Sequence, residues 1–366
     1  MKKTVKEFFA ASNSYYGFIS YFDKVFSPRD FDKIFILKGG PGTGKSTFMK
    51  ETANLFEASD LICQKILCSS DPESLDGLII ENAGKKIAIL DGTAPHATDP
   101  KMPGAIEKII NLGDCWNEKL LSANKEKIVR LTELKQTHYK NAYNYLSIAG
   151  LCVRYVDETI KASISADIGE IIDDIFLNTE KEDGKTQIML TSSFGKRGFY
   201  ETRGLGSFAE REINIVGIYG TEYYFMEKIR SEGKRRSLNC IMSPSPLDTQ
   251  KTDALYFFSN NTAITVGNKN YSRNAKTIDT SKYIDVKKLD NNRNLLETLY
   301  KEREAMLWCA TDEFKKAADT HMETEKIYTA AMNFKKNKKL LTRVCEEISK
   351  ILLPQDENNT NSKKEP

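Results

Sequence analysis

The sequence predicts an α/β protein made of two tandem three-layer units with mainly parallel sheets, each unit carrying a long helical insertion. Three observations support this. A buried-strand pattern at 34–37 runs into a glycine-rich loop and then a helical pattern, DKIFILKGGPGTGKSTFMKETANLF at 32–56. A run of related order recurs 177 residues later, and two stretches, 117–162 and 291–334, are rich in Leu, Lys, Glu and Ala with few breakers. The 366 residues agree with two or three domains at about 150 each.

Charge and cysteine usage narrow the class. Lys and Arg total 54 against 51 Asp and Glu, a net charge of +3, too even a balance for a nucleic-acid binder with a clustered basic face. Seven cysteines occur without a CxxC pair or a His/Cys ligand spacing. Neither a disulfide framework nor a zinc site is expected, and a reducing cytosol fits. No run reaches the roughly 18 apolar residues of a membrane helix. Lys6 and Glu7 also break the apolar stretch a signal peptide needs. The expectation is a soluble, cytoplasmic chain with no membrane or nucleic-acid partner.

The first strand, Ile34 to Leu37, is a short apolar, β-branched run of the kind that lies buried in a parallel sheet. Behind it, Gly39, Gly44, Lys45 and Ser46 match GxxxxGK[ST], and Phe48, Met49 and Leu55 begin a helical pattern. Residues Gly40, Pro41, Gly42, Thr43, Gly44, Lys45, Ser46 and Thr47 are the expected phosphate cradle. Glycines let backbone N–H groups curl around phosphates, the helix start adds its positive end, and Lys45 supplies a mobile charge. Ser46 would place its hydroxyl on Mg²⁺, and Thr47 would face the α-phosphate.

A second buried-strand pattern, Ile87 to Leu90, ends in Asp91, 46 residues beyond Lys45, where a carboxylate would hold Mg²⁺ through water. Gly92 follows, where many ATPases carry a catalytic Glu. Asp91-Gly92-Thr93-Ala94 is not the DxxG of GTPases, and Asn268-Lys269-Asn270-Tyr271 lacks the final Asp of a guanine reader, so ATP with Mg²⁺ is the expected ligand. The pairing of GGPGTGKST with ILDGTAPH also resembles adenylate-kinase-like nucleotide kinases, except that His96 stands near the place of their DG-x-P-R arginine. An imidazole does not replace a bidentate guanidinium.

An internal repeat organises the chain. Phe48-Met49 aligns with Phe225-Met226 at an offset of 177, which sets Gly40 against Gly217, Lys45 against Glu222 and Ser46 against Tyr223. Asp76-Gly77-Leu78 aligns with Asp253-Ala254-Leu255 at 177, Ala88-Ile89 with Ala263-Ile264 at 175, and Thr137-His138 with Thr320-His321 at 183. Val266 then stands opposite Asp91. The expected units are 1–183, with the working site, and 184–353, with a loop stripped of its phosphate-binding residues; a polar tail at 354–366 is expected to be disordered.

The GGPGTGKST loop, the CSSDPESLDGLII segment at 68–80 and DGTAPHATDPKMPGAIEKIINLGDCW at 91–116 resemble a bacterial family of tandem P-loop nucleotide-binding proteins with a DGTAPH motif, within the P-loop NTPase superfamily. The resemblance spans residues 7–352 and implies two P-loop NTPase-like domains that bind ATP. The second half of that family often keeps its own loop, and here it has degenerated.

The remaining elements refine the site. Residues 91–104 form a proline-rich connection at a strand's carboxyl end, where ligands sit in open α/β sheets. His96, five residues past Asp91, is a candidate general base or γ-phosphate sensor alongside Asp99, or a histidine capping a turn. Asp71, Glu73 and Asp76, after a strand at 61–68, read chiefly as turn and helix-capping residues, with a loop facing the same cleft as the alternative. The stretches 117–162 and 291–334 read as long helices or hairpin arms that pack on each other, with a coiled-coil partner or self-association as the alternative. His138 and His321 read as buried or interface residues. Among Arg197, Arg203, Arg211, Arg230, Lys234, Arg235, Arg236 and Arg273, one could act as an arginine finger in cis, against ordinary solvated charge. The catalytic set expected is Lys45, Asp91 and His96, with Ser46 and Asp91 on the metal, for a Mg²⁺-dependent ATPase. The alternatives are a kinase acting on a small acceptor and a nucleotide-dependent switch with a protein partner.

Overall fold

A computed structural model describes residues 6–164, 168–202, 204–267 and 275–353. Arg203, Arg273, the segment Asn268 to Tyr271 and the tail at 354–366 lie outside them. The described chain contains two six-stranded mixed sheets and long helices.

The first sheet runs Lys6–Phe9, Ile62–Leu67, Leu75–Asn82, Lys85–Asp91, Lys33–Lys38, Glu107–Asn111. The second runs Thr186–Ile188, Cys240–Pro244, Thr252–Phe257, Thr262–Val266, Arg211–Val216, Lys276–Asp279. Position by position the two sheets have the same order and the same sense, three parallel and two antiparallel neighbour pairs each. Parallel pairing is therefore the majority and not the rule. In both sheets the third strand is reversed, because the turns flanking it are too short for the crossover a parallel pair requires.

The sheets meet edge to edge at a single residue pair. Phe9 donates its N–H to the Leu190 carbonyl at 2.8 Å, and Leu190 returns the bond at 3.1 Å. Each of these residues precedes a hairpin, Ala11–Ser14 with Gly17–Ser20 in one half and Ser192–Gly195 with Gly198–Glu201 in the other. Phe9 and Leu190 are thus counterparts, and a local two-fold passes between them.

Each long stretch is built on one continuous helix and is not a hairpin: Lys125–Lys161, 37 residues, preceded by the short helix Glu118–Ala123, and Arg293–Ala331, 39 residues. They lie antiparallel, as the pairs Lys135 with His321 and Asn141 with Glu313 require. Their shared core holds Ala142, Leu146, Ala149, Leu307, Ala310 and Phe314. His138 Nδ1 stands 2.9 Å from Glu313 Oε2, so a carboxylate across the arm satisfies a histidine that sequence spacing left alone. Lys316 and Asn141 also bond Glu313, and despite burial these contacts pull its carboxyl down to about 2.

The helices that follow the arms are exchanged. Phe334–Leu352, after the second arm, buries Leu341, Val344, Cys345, Ile348 and Leu352 against Phe35, Phe48, Met49 and Leu78 of the first sheet and its helix. Gly169–Ile175, after the first arm, packs with Ile213, Phe225 and Phe257 of the second.

Candidate functional site

The loop at 39–44 connects Lys33–Lys38 to the helix Lys45–Glu57. Four of the strand's six residues are buried. The helix buries Phe48, Met49, Thr52, Ala53 and Phe56, one stripe at helical spacing. Gly44 caps the helix with φ +86 and Gly42 lies at φ +67, left-handed conformations that explain glycine at both places. Lys45 folds back, its Nζ donating to the Gly39 carbonyl at 2.8 Å and to Gly40 at 2.9 Å.

The strand carrying Asp91 lies directly beside this one, with Leu37 opposite Asp91. Asp91 Oδ2 is 3.6 Å from Lys45 Nζ, both side chains mostly buried. Asp91 Oδ1 accepts from the Thr93 N–H at 2.9 Å and hydroxyl at 2.6 Å, which fixes the carboxylate. Behind Asp91 stands Asp76. It is not a turn residue: it is buried in the strand Leu75–Asn82, 4.0 Å from His96 Nε2. One ligand atom each from Asp76, Asp91 and His96 lie within 4.8 Å of one another. Burial, followed by the Asp91 charge, raises the Asp76 carboxyl to about 7. His96 stacks on Phe22 at 4.2 Å, its Nδ1 is buried without a hydrogen-bond partner, and burial lowers it to about 4, so it is neutral at pH 7.

Of the expected residues, Lys45, Asp91 and His96 come together. Ser46 Oγ accepts from the Leu75 N–H at 2.9 Å, which ties the helix start to the strand of Asp76. Thr43 is buried and bonds the Gly40 carbonyl, whereas Thr47 is exposed. Asp99 stands outside the cluster, exposed and paired with Lys38 at 3.1 Å. Asp71 and Glu73 do form a turn, and they also pair with Lys196 and Arg197 of the second half. The other described arginines of the basic group pair elsewhere, Arg211 with Asp174, Arg230 with Glu227, and Arg235 and Arg236 with Glu232, while Lys234 is exposed. Asp76 is the member that sequence reasoning set second to a turn role, and its recurrence as Asp253 in the repeat was the signal available to raise it.

The loop is roofed by the second arm. A Cβ at Gly40 would come 2.8 Å from the Tyr328 ring and one at Gly42 2.6 Å from the Glu325 carbonyl oxygen, so glycine is the residue that admits the arm. Asn337 Nδ2 donates to the Thr43 carbonyl at 2.9 Å.

The equivalent loop of the second half, 217–220, is two residues shorter between its strand and its capping Gly220 at φ +89. Counted from the caps, Thr221 and not Glu222 stands opposite Lys45, with the extra residue falling inside the helix's first turn. Tyr223 donates to Asp253 at 3.0 Å, which occupies the Asp76 counterpart, and Val266 replaces Asp91.

A cleft of about 530 Å³ at the seam of the sheets, lined in part by Lys6, Gln64, Asn82 and Ile241, shares no residue with the loop. No described helix is long and apolar enough to cross a membrane. Compared with protein-family models, with curated proteins and with solved structures, the chain matches none.

Proposed function

We propose that the chain is a Mg²⁺-dependent ATP-binding protein of P-loop type that hydrolyses ATP slowly at one site, in its first half. The observation that carries this reading is a strand, glycine loop and helix whose Lys45 is folded over the loop carbonyls, 3.6 Å from a carboxylate on the adjacent strand. A lysine held by two carbonyls is a cation already desolvated and aimed for phosphate oxygens. Magnesium fits the donors present: Ser46 and Asp91 would hold it, with Asp76 adding a second carboxylate behind Asp91, and the ion would neutralise charge on the β- and γ-phosphates. His96, neutral at pH 7 with an unpartnered Nδ1, can accept a proton or orient water. No Glu follows Asp91, which accords with slow turnover. The contacts of Glu325 and Tyr328 with the loop favour one further reading, in which the arms register occupancy and the protein acts as a switch.

Calorimetric titration with Mg-ATP tests the proposal, with phosphate release followed in parallel. Saturable binding that falls by about a hundredfold in Lys45→Ala is expected from loss of a charge-assisted contact. Absence of binding by the wild type, or equal binding by Lys45→Ala, would overturn it.

A further inference from the structure

The arms bring a second cation to the loop. Lys135 lies on Lys125–Lys161, where it interrupts an otherwise apolar heptad frame, and its Nζ is 3.5 Å from His321 Nδ1 on the opposite arm. His321 Nε2 in turn faces Glu325 Oε1 at 3.6 Å. Among the described residues no carboxylate lies within ion-pair distance of Lys135, and His321 is the sole hydrogen-bond partner of its ammonium. A half-buried ammonium so placed calls for an anion.

The position of the pair indicates which anion. From His321 the same helix reaches Tyr328, the residue over Gly40, in seven residues, about 10 Å of helix. Burial is the largest cause lowering both Lys135 and His321; the Glu325 charge then raises Lys135 and the Lys135 charge lowers His321, and the charge of Lys45 lowers both, so these side chains share one electrostatic environment. The degenerate half supplies an internal comparison. At the arms the two halves are offset by 168 and not by 183, as the helix caps Asn124 and Asn292 and the core pairs Ala142 with Ala310 and Leu146 with Phe314 show, so Lys135 is matched by Arg303 and His321 by Val153. Arg303 is satisfied within its own half, its guanidinium bonded to Glu304 and set over the Tyr300 ring, whereas the bonded partner of Lys135 is the imidazole of His321.

We propose that Lys135 binds the terminal phosphate of a nucleoside triphosphate held by the 39–44 loop, with His321 as the positioning residue that links it to Glu325. This rests on the triphosphate reading above and adds the discrimination between triphosphate and diphosphate. One side chain from each arm would then sense the phosphate that hydrolysis removes.

The test measures affinities for Mg-ATP and Mg-ADP in the full chain, for wild type, Lys135→Ala, Lys135→Arg and His321→Ala, with thermal unfolding to confirm that each variant is folded. Lys135→Ala should lose about tenfold or more for ATP, with ADP held within about twofold, as expected of one charge-assisted contact. Lys135→Arg should recover most of the loss, and His321→Ala should show a smaller, equally ATP-selective one. Equal changes for ATP and ADP, or no change, with wild type still binding ATP, would overturn this inference alone. A wild type that binds neither nucleotide would overturn both it and the reading of the loop.

Discussion

Asp76 and His96 face each other across 4.0 Å, and burial moves their titrations in opposite directions, Asp76 up to about 7 and His96 down to about 4. The folded state holds the Asp76 proton more tightly than the unfolded chain does. Its contribution to stability is complete below the unfolded value of 3.8 and is lost as pH rises to about 7. For His96 the sign reverses: the contribution is complete above the unfolded value of 6.5 and is lost as pH falls to about 4. Each displaced group has a slope of about 1.4 kcal/mol per pH unit, so between about pH 4 and 6.5 the two slopes cancel. Removing one partner unmasks the other. Relative to wild type, Asp76→Asn should gain about 3 kcal/mol between pH 4 and 6.5, and His96→Gln should lose about as much over the same interval. Urea unfolding in the presence of a chelator, repeated across that range, gives the three curves. Groups such as Glu313 and His321 are common to all three proteins and drop out of the differences. Parallel curves for wild type and Asp76→Asn would refute the reasoning, because they would mean that the Asp76 proton is held equally in the folded and unfolded chains.

Two further predictions concern the arms. Gly42→Ala places a methyl 2.6 Å from the Glu325 carbonyl at a residue with φ +67, so the loop or the arm must move; a loss of about 2–3 kcal/mol in denaturant unfolding is expected, and a loss below about 0.5 kcal/mol would mean the contact is loose. Phe314 is fully buried and packs edge-on against Tyr139, Tyr143 and Phe194, so Phe314→Ala should cost about 3–5 kcal/mol by the same measurement, and a cost under about 1 kcal/mol would show that the arms do not share a packed core.

The strand at 33–38 and the helix after it were legible because each has a single periodicity and Gly44 marks the boundary between them. That Lys45 and Asp91 meet was legible from their places just past two buried strands, which the fold sets side by side. Asp76 was obscured by the Ser, Asp and Pro around it, which read as a turn; what makes it part of the site is Asp91 on the neighbouring strand, a tertiary fact. The reversed third strand was partly legible: only Ala83 and Gly84 separate Asn82 from Lys85, both at positive φ, and so short a link excludes a parallel pair. Which sheet receives the helix after each arm was not legible, because an apolar stripe states that a face is covered but not by what. The pairing of Lys135 with His321 was hidden for the same reason: a lysine in a heptad frame reads as a defect until the opposite arm is in place.

The exchange of helices about the Phe9 and Leu190 pair has a consequence for how the chain can change. Two identical subunits built on this plan would carry every substitution twice, and loss of a loop lysine would alter both loops at once. Joined in one polypeptide, each position mutates alone while the shared core holds both halves in register. One loop is thus free to shorten and trade its lysine for Thr221, with the other loop left as it was. Architectural symmetry is kept and chemical symmetry is not, and the half without the loop lysine still supplies the arm that lies over the loop that has it.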